Sequence, residues 1–444
     1  MNLSIAQILS ATGGRLLCGR EETRVTHFIT DSRQAGAGAM FVPVRGEKVD
    51  GHAFIGAAIS AGACAAFTDH PLPPGAGALV LVEDCRAALQ RTAAWYREGF
   101  DIPIVGITGS VGKTTAKEMV AQALSAGFQV HRTAGNQNSQ VGVPITVCGM
   151  GPEHTAAVIE MGVSMPGEME RIARVVKPTC VVMTNIGTSH IEFMKTQENI
   201  LAEKARIAGY LSGAGALFVN GDDPLLAGLP GAVRFGLGKS CQWQGVDLAS
   251  TPEGQAFTCL GPGGERVPVQ LPVAGEHNVR NALAALAVAA HLGVPLEDAA
   301  RALTAYEPPA MRQQMKERRG VTVIDDSYNA SPDSMRSSID VLASRVGGRR
   351  IAVLAGMLEL GSYSRQGHLD TGRYAKEKGV ELLAVGELGR EIAEGYGPGA
   401  GWASTNQEAA DLLKGTLKSG DSVLVKGSRG MRTEEIVAQI LAEG

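Results

Sequence analysis

The residues best suited to do chemistry begin at Thr108-Gly109-Ser110-Val111-Gly112-Lys113-Thr114-Thr115. An apolar run, Ile102 to Ile107, leads into this stretch, and a helix-like run, Ala116 to Ala126, leaves it. Glycines between a strand and a helix let backbone N–H groups turn toward phosphate oxygens, and the helix N-terminus adds partial positive charge. In such a loop Lys113 reaches the terminal phosphates and the Thr114 hydroxyl faces Mg²⁺. The common pattern G-x-x-x-x-G-K-[ST] places glycine where this chain has Ile107, so the loop is a shortened variant.

Ligands in open α/β sheets collect at the C-terminal ends of strands, and three more reactive groups fall at such ends. Glu160 closes the apolar run from Ala156, the place of a carboxylate that holds Mg²⁺. His190 follows the run Cys180 to Thr184 in a polar loop beside Asn185 and Ser189, a candidate ligand for a second metal. Asp325-Asp326 end the run from Val321, ahead of Tyr328 and Asn329; either carboxylate could cap the helix that starts at Pro332 or contact a nucleotide. The loop Asn136-Gln137-Asn138-Ser139 reads as a turn whose amides, Asn138 among them, can also orient a substrate. Lys426 and Ser428, with Gly427 and Arg429, sit between the last strand and the last helix and make a candidate anion-binding corner. Lys204, next to Glu203 in the helical run Gln197 to Leu211, reads from spacing alone as an exposed helical lysine.

The elements that must position these groups follow from patterning. Strand and helix patterns alternate from residue 99 to about 308, which predicts a mostly parallel sheet. Within that span, Val233 to Val273 changes to short strands with Gly and Pro turns and reads as a small β insertion. Residues 1–98 form a smaller α/β unit, in which Pro71-Leu72-Pro73-Pro74 marks a break. Tyr306-Glu307-Pro308-Pro309 is a linker, and 309–444 reads as a Rossmann-like unit without a G-x-G-x-x-G fingerprint. The fold class expected is therefore α/β in three domains.

The chain has 444 residues, 19% charged and 44% apolar, with a net charge of −4, and no Lys/Arg run suggests a nucleic-acid surface. The densest basic patch, Lys316 to Arg319, reads as a solvated turn before a strand. The N-terminus lacks a basic n-region and an A-x-A site, and no apolar stretch approaches the ~18 residues that span a bilayer. Seven scattered cysteines without C-x-x-C pairing read as reduced, mostly buried thiols of a cytoplasmic protein.

Together these strings resemble the Mur ligases and folylpolyglutamate synthases. The loop 108–115, Glu160-Met161-Gly162, Asn185 to His190, His277-Asn278-Val279-Arg280-Asn281-Ala282, Met311-Arg312 and Asp326 to Pro332 match that family's motifs in family order. Thr30-Asp31-Ser32-Arg33 with Asp50-Gly51-His52, Tyr328 to Met335, and Gly356-Met357-Leu358-Glu359-Leu360-Gly361 with His368 resemble the type that joins D-alanyl-D-alanine to a UDP-N-acetylmuramoyl-tripeptide. The resemblance implies an N-terminal UDP-binding domain (1–98), a central ATP-binding domain (99–308) and a C-terminal ligase domain (309–444) that closes onto it. It implies ATP and two Mg²⁺ sites as cofactors, with Lys113, His190 and Lys204 catalytic and Lys204 carbamylated. Thr114, Glu160 and His190 would hold metal; Asn281, Arg312, Asp326 and Asn329 would contact the nucleotide; Ser32 and Arg33 would hold the UDP part. A monomer working without nucleic acid or membrane insertion is expected. Two other readings remain open: a sister ligase adding a single amino acid or glutamate, and a nucleotide switch, which the absence of an N-K-x-D string weakens.

Overall fold

Each third of the chain builds its own main sheet, as a computed structural model covering residues 1–46, 49–72, 77–213, 215–251 and 254–442 describes. Pro73 and Pro74 of the expected break lie outside the described residues.

The central sheet has nine strands, with Ile104–Thr108 in the middle between Ala156–Glu160 and Cys180–Met183, all parallel. The three strands are buried along their whole length. Ile104, Ile159 and Val181 pack into one core with Met169 and Ile172, while Val105, Ile107, Val158 and Val182 pack into another with Met119 and Leu283. Helices therefore cover both faces, which is why these strands read as unbroken apolar runs. Ile107 is one of these core residues, so the position where a longer phosphate loop would have glycine belongs to the strand.

The expected β insertion is not separate. Val233–Gly236 and Trp243–Thr251 continue the parallel sheet from Ala216–Asn220, and Gly254–Leu260 and Arg266–Leu271 close it antiparallel. A free edge of unpaired N–H and C=O groups is thereby extended rather than left to a detached unit. The helix Gly142–Cys148 was absent from the sequence pattern because Pro144 interrupts it; a proline in the first turn removes no helical bond.

The N-terminal sheet runs Arg15–Cys18, Ala78–Leu81, Ala65–Thr68, Ala39–Phe41, His27–Ile29, with only the first strand antiparallel. Helix Cys85–Arg97 packs on Gly142–Cys148 and Glu168–Val176 of the central unit. Its buried Arg97 donates from Nε to the Val176 carbonyl at 2.9 Å, tying the two units together.

The C-terminal sheet orders Gln314–Arg318, Val321–Asp325, Ser422–Lys426, Arg350–Ala355, Glu381–Val385 and Gly401–Ala403, parallel except for the first. The basic patch expected as a turn instead lies largely in strand Gln314–Arg318, where Lys316 Nζ bonds Asp325 Oδ2 at 2.5 Å. Helix Pro332–Ala343 is capped by Ser331, whose side chain accepts from the Ser334 N–H, and by neither Asp325 nor Asp326.

Helices Ser364–Glu377 and Gly389–Tyr396 touch backbone to backbone. A Cβ on Gly372 would fall against the Ile392 carbonyl, and one on Gly395 against that of Leu369. Gly372→Ala is expected to force the helices apart at a cost of about 1–3 kcal/mol. Thermal unfolding would read this as a midpoint lowered by several degrees with the secondary-structure signal retained; an unchanged midpoint would show that this close approach is not needed.

Candidate active site

The loop after Ile104–Thr108 is held open by a second loop. Ser110 N–H donates to the Asn185 carbonyl at 2.9 Å, Val111 N–H to Asn185 Oδ1 at 2.8 Å, and Thr184 Oγ1 to the Val111 carbonyl at 2.6 Å. Gly109 has φ +147° and a Cβ there would collide with Thr184 Oγ1; Gly112, at φ +82°, caps helix Lys113–Leu124. Only glycine fits this path. Lys113 Nζ donates to the carbonyls of Gly109 (2.9 Å) and Ser110 (3.1 Å), and burial draws its pKa down against the opposing pull of Glu160.

Glu160 is 1% exposed at the end of its strand. Its Oε1 accepts from Thr114 Oγ1 at 3.1 Å and from Asn138 Nδ2 at 2.6 Å, while the equally buried Oε2 has no partner among the described residues. A buried carboxylate oxygen without a donor, next to a hydroxyl, is a hard-oxygen set that suits Mg²⁺. Asn138 thus meets Glu160 directly, an orienting contact that the reading of a substrate amide did not anticipate.

Lys204 is not an exposed helical lysine: it is 2% exposed. Burial, reinforced by the charge of Lys113, pulls its pKa far down despite Glu203 and Glu168. Its neighbour Glu203 accepts from the Gly167 and Met169 N–H groups at 2.9 and 2.8 Å, a carboxylate at the start of helix Glu168–Val176. His190 has a left-handed backbone, φ 62°, and lines the cavity above the loop.

Two cavities meet at Val111, Gly112, Arg312 and Ser334. One, of about 450 Å³, is lined by Ser110, Lys113, Thr114, Asn138, Glu160, His190 and Asn329. The other, of about 660 Å³, is lined by Thr115, Asn281 and Asp326. Arg312 lies over the Tyr328 ring with 4.2 Å from guanidinium carbon to centroid. Residues of the central and C-terminal units thus enclose one space.

Other expected residues lie apart from it. Thr108 and Gly109 are covered by the loop, and Thr108 Oγ1 is buried without a partner among the described residues. Ser32 and the exposed Arg33 line neither cavity; Arg33 pairs with Asp31, whose carboxyl it holds at about 2. Lys426 and Ser428 do not form an open anion corner. Lys426 Nζ is buried against Asp326 Oδ2 at 2.5 Å, and Ser428 Oγ accepts from the Leu358 N–H at 2.9 Å, so both are consumed internally. Sequence reasoning missed Asp222, which receives Arg280 at 2.7 Å beside the second cavity. Its signal was available: Asp222-Asp223 follow the end of strand Ala216–Asn220. Three metal-type ligands in the N-terminal unit, His52, Asp69 and His70, lie within 4.8 Å of one another, but Asp69 already faces Arg45 at 2.7 Å.

Comparison with known proteins identifies the family. Three family models match: Mur ligase family, catalytic domain (residues 24–135), Mur ligase middle domain (107–289) and Mur ligase, glutamate ligase domain (311–429). The UDP-N-acetylmuramoyl-tripeptide–D-alanyl-D-alanine ligase of Bacillus subtilis is 36% identical over 99% of this chain and 98% of its own. That of Escherichia coli is 33% identical over 94% and 93%. The crystal structure of MurF from Acinetobacter baumannii superposes with a TM-score of 0.92 at 31% identity, over 99% of both chains. That of MurF from Thermotoga maritima in complex with ADP superposes at 0.84 and 27% identity, over 93% and 96%. The chain belongs to the Mur ligase family of ATP-dependent amide ligases, and within it to the MurF type.

Proposed function

We propose that this chain joins D-alanyl-D-alanine to a UDP-N-acetylmuramoyl-tripeptide, using ATP and releasing ADP and phosphate. The observation that carries the reading is the enclosure of the loop lysine, the half-satisfied Glu160 and His190 in one cavity that the C-terminal unit completes. A free carboxylate resists attack by an amine because of its charge. Transfer of the γ-phosphoryl group to the tripeptide's terminal carboxylate oxygen, with loss of ADP, turns that oxygen into a leaving group. The dipeptide amine then attacks the acyl carbon, the C–O bond to phosphate breaks, and the amide forms as the nitrogen loses its proton.

The residues divide this work. Lys113 and the loop amides stabilise negative charge on the transferring group. Thr114 and Glu160 would hold one Mg²⁺ and His190 a second, which supply charge neutralisation at the phosphates. Asn138 keeps Glu160 in place. Asn281, Arg312, Asp326 and Asn329 face the nucleotide from two units, and Ser32 and Arg33 belong to the UDP-binding side. Burial draws the Lys204 pKa far down, which favours the nucleophilic amine that would add to CO₂ to give a carbamate with release of a proton. We place the enzyme in the cytoplasm as a monomer with domains near 1–98, 99–308 and 309–444.

Steady phosphate release is expected only when ATP, the UDP-tripeptide and D-alanyl-D-alanine are all present; turnover with a single amino acid and none with the dipeptide would overturn the acceptor assignment. Lys113→Ala should lower kcat about 10²–10³-fold, corresponding to ~3–4 kcal/mol, with circular dichroism unchanged. Lys204→Ala should lose a carbamate carbon signal seen by NMR with ¹³C-bicarbonate, and short carboxylic acids should restore part of its activity. A wild-type enzyme without that signal at saturating bicarbonate would remove the carbamate.

A further inference from the structure

Most charged groups that line the smaller cavity already have partners. Glu168 Oε2 accepts the Ser164 and Met165 N–H groups at 2.7 and 3.1 Å, and its Oε1 accepts Gln140 Nε2 at 2.9 Å. Glu160 Oε1 is taken by Thr114 and Asn138, Lys113 Nζ bonds two loop carbonyls, and Arg312 stacks on the Tyr328 ring. Arg86 differs. Among the described residues it is the cation that the N-terminal unit contributes to this wall, beside Val44. Its Nε is buried without a partner, and its guanidinium pairs with no carboxylate among the described residues. A guanidinium presents its N–H donors as a planar fork that fits a carboxylate through two parallel hydrogen bonds. Partly desolvated and unmatched, such a charge is costly until a ligand supplies the anion.

The place of Arg86 is fixed relative to the phosphate loop. It lies in the first turn of helix Cys85–Arg97, which Asp84 caps by accepting the Ala87 N–H at 2.7 Å. One turn on, Gln90 Nε2 donates to the Gln140 carbonyl at 3.0 Å, and Gln140 lines the same cavity. Near the far end, the Tyr96 hydroxyl donates to the Met150 carbonyl at 2.7 Å and Arg97 holds the Val176 carbonyl. The helix is thus bolted to the framework of the central unit, and it presents Arg86 with no help from the C-terminal unit.

Ser32 and Arg33, given above to the UDP-binding side, line neither cavity, so the part of the substrate that meets Arg86 is its peptide end. The carboxylate that reacts needs an oxygen free to attack phosphorus, which a guanidinium gripping both oxygens would deny it. We propose that Arg86 anchors a second, non-reacting carboxylate of the UDP-linked tripeptide, and so fixes how far that group lies from the carboxylate phosphorylated at Lys113. The inference rests on the ligase reading and names a residue that selects its substrate. A tripeptide with an acidic residue supplies such a carboxylate; one without it is held weakly.

The test uses the full-length protein and two forms of a UDP-N-acetylmuramoyl-tripeptide that contains an acidic residue. One form has every carboxylate free, and the other has the non-reacting carboxylates amidated. In calorimetric titration without ATP, the wild type should bind the free acid about 10–100-fold more tightly than the amide, the worth of hydrogen bonds to a charged group. Arg86→Gln should bind both forms alike, and Arg86→Lys should recover part of the preference. In turnover, Arg86→Gln should raise the KM for the free acid by a similar factor and leave that for ATP unaltered. An undiminished preference in Arg86→Gln overturns the proposal, as does a wild type that treats the two forms alike. Equal weakening of UDP alone also overturns it, because Arg86 would then grip the diphosphate. Should Arg86→Gln fold poorly, Arg86→Lys decides: a smaller preference supports the anchor and an undiminished one removes it. Failure of the ligase reading would show separately, as a wild type that binds the tripeptide yet releases no phosphate with ATP and D-alanyl-D-alanine.

Discussion

Two lysines, Lys113 in the cavity and the buried Lys204 near enough to feel its charge, set the terms of the site, and the structure around it follows from how their charge is managed. Each is pushed toward its neutral form by burial, and the charge of Lys113 lowers Lys204 further. Glu160 opposes this at Lys113, which explains why a carboxylate is carried to the end of an otherwise apolar strand and buried there. A buried carboxylate is stable only with donors, and Thr114 and Asn138 supply them to one oxygen while the other stays open. Glu203, one residue before Lys204, places its charge on the N-terminus of helix Glu168–Val176 instead of in the cavity. The result is a polar centre in which negative charge is in short supply, the condition that favours phosphate, carboxylate and metal together.

The same accounting of charge explains the C-terminal unit. Asp326 receives Lys426, the Ser338 hydroxyl and the Gln313 N–H, so it is a fixed, neutralised anchor at the edge of the second cavity. Arg312 remains over the Tyr328 ring at the junction of both cavities, with its charge facing open space. Contacts that join the central and C-terminal units include His190 and Glu192 with Glu359, Thr188 with Asp333, and His277 and Asn278 with Gln313. Polar contacts of this kind fix one geometry where two domains meet.

Much of the site was legible because it sits where buried parallel strands stop. Ile104–Thr108, Ala156–Glu160, Cys180–Met183 and Val321–Asp325 are mostly apolar, and polarity returns at or just beyond their C-terminal ends with the loop after Thr108, Glu160, the loop ending in His190, and Asp325-Asp326. The expected three-part α/β architecture rests on the alternation of such apolar runs with helical patterns. What stayed hidden was the environment of single side chains. Lys204 and an exposed helical lysine have the same local spacing; only helices distant in sequence bury one of them. Lys426 looked like a free cation because its partner, Asp326, lies a hundred positions away. Ser428 looked like an anion donor, and serves the loop that presents Glu359.

By itself the amino-acid sequence determined the glycine loop between strand and helix, most of the order of strands and helices, the strand-end carboxylates and histidine, and the family to which they point. Those are properties of local patterns, since burial on both faces of a sheet and the turn requirements of glycine act within a few residues. Only the tertiary structure decided which charges are paired, which are left for ligands, and that His190 meets a carboxylate from another unit. Electrostatic pairing depends on distance in space and on desolvation, and neither is encoded in neighbouring positions of the chain.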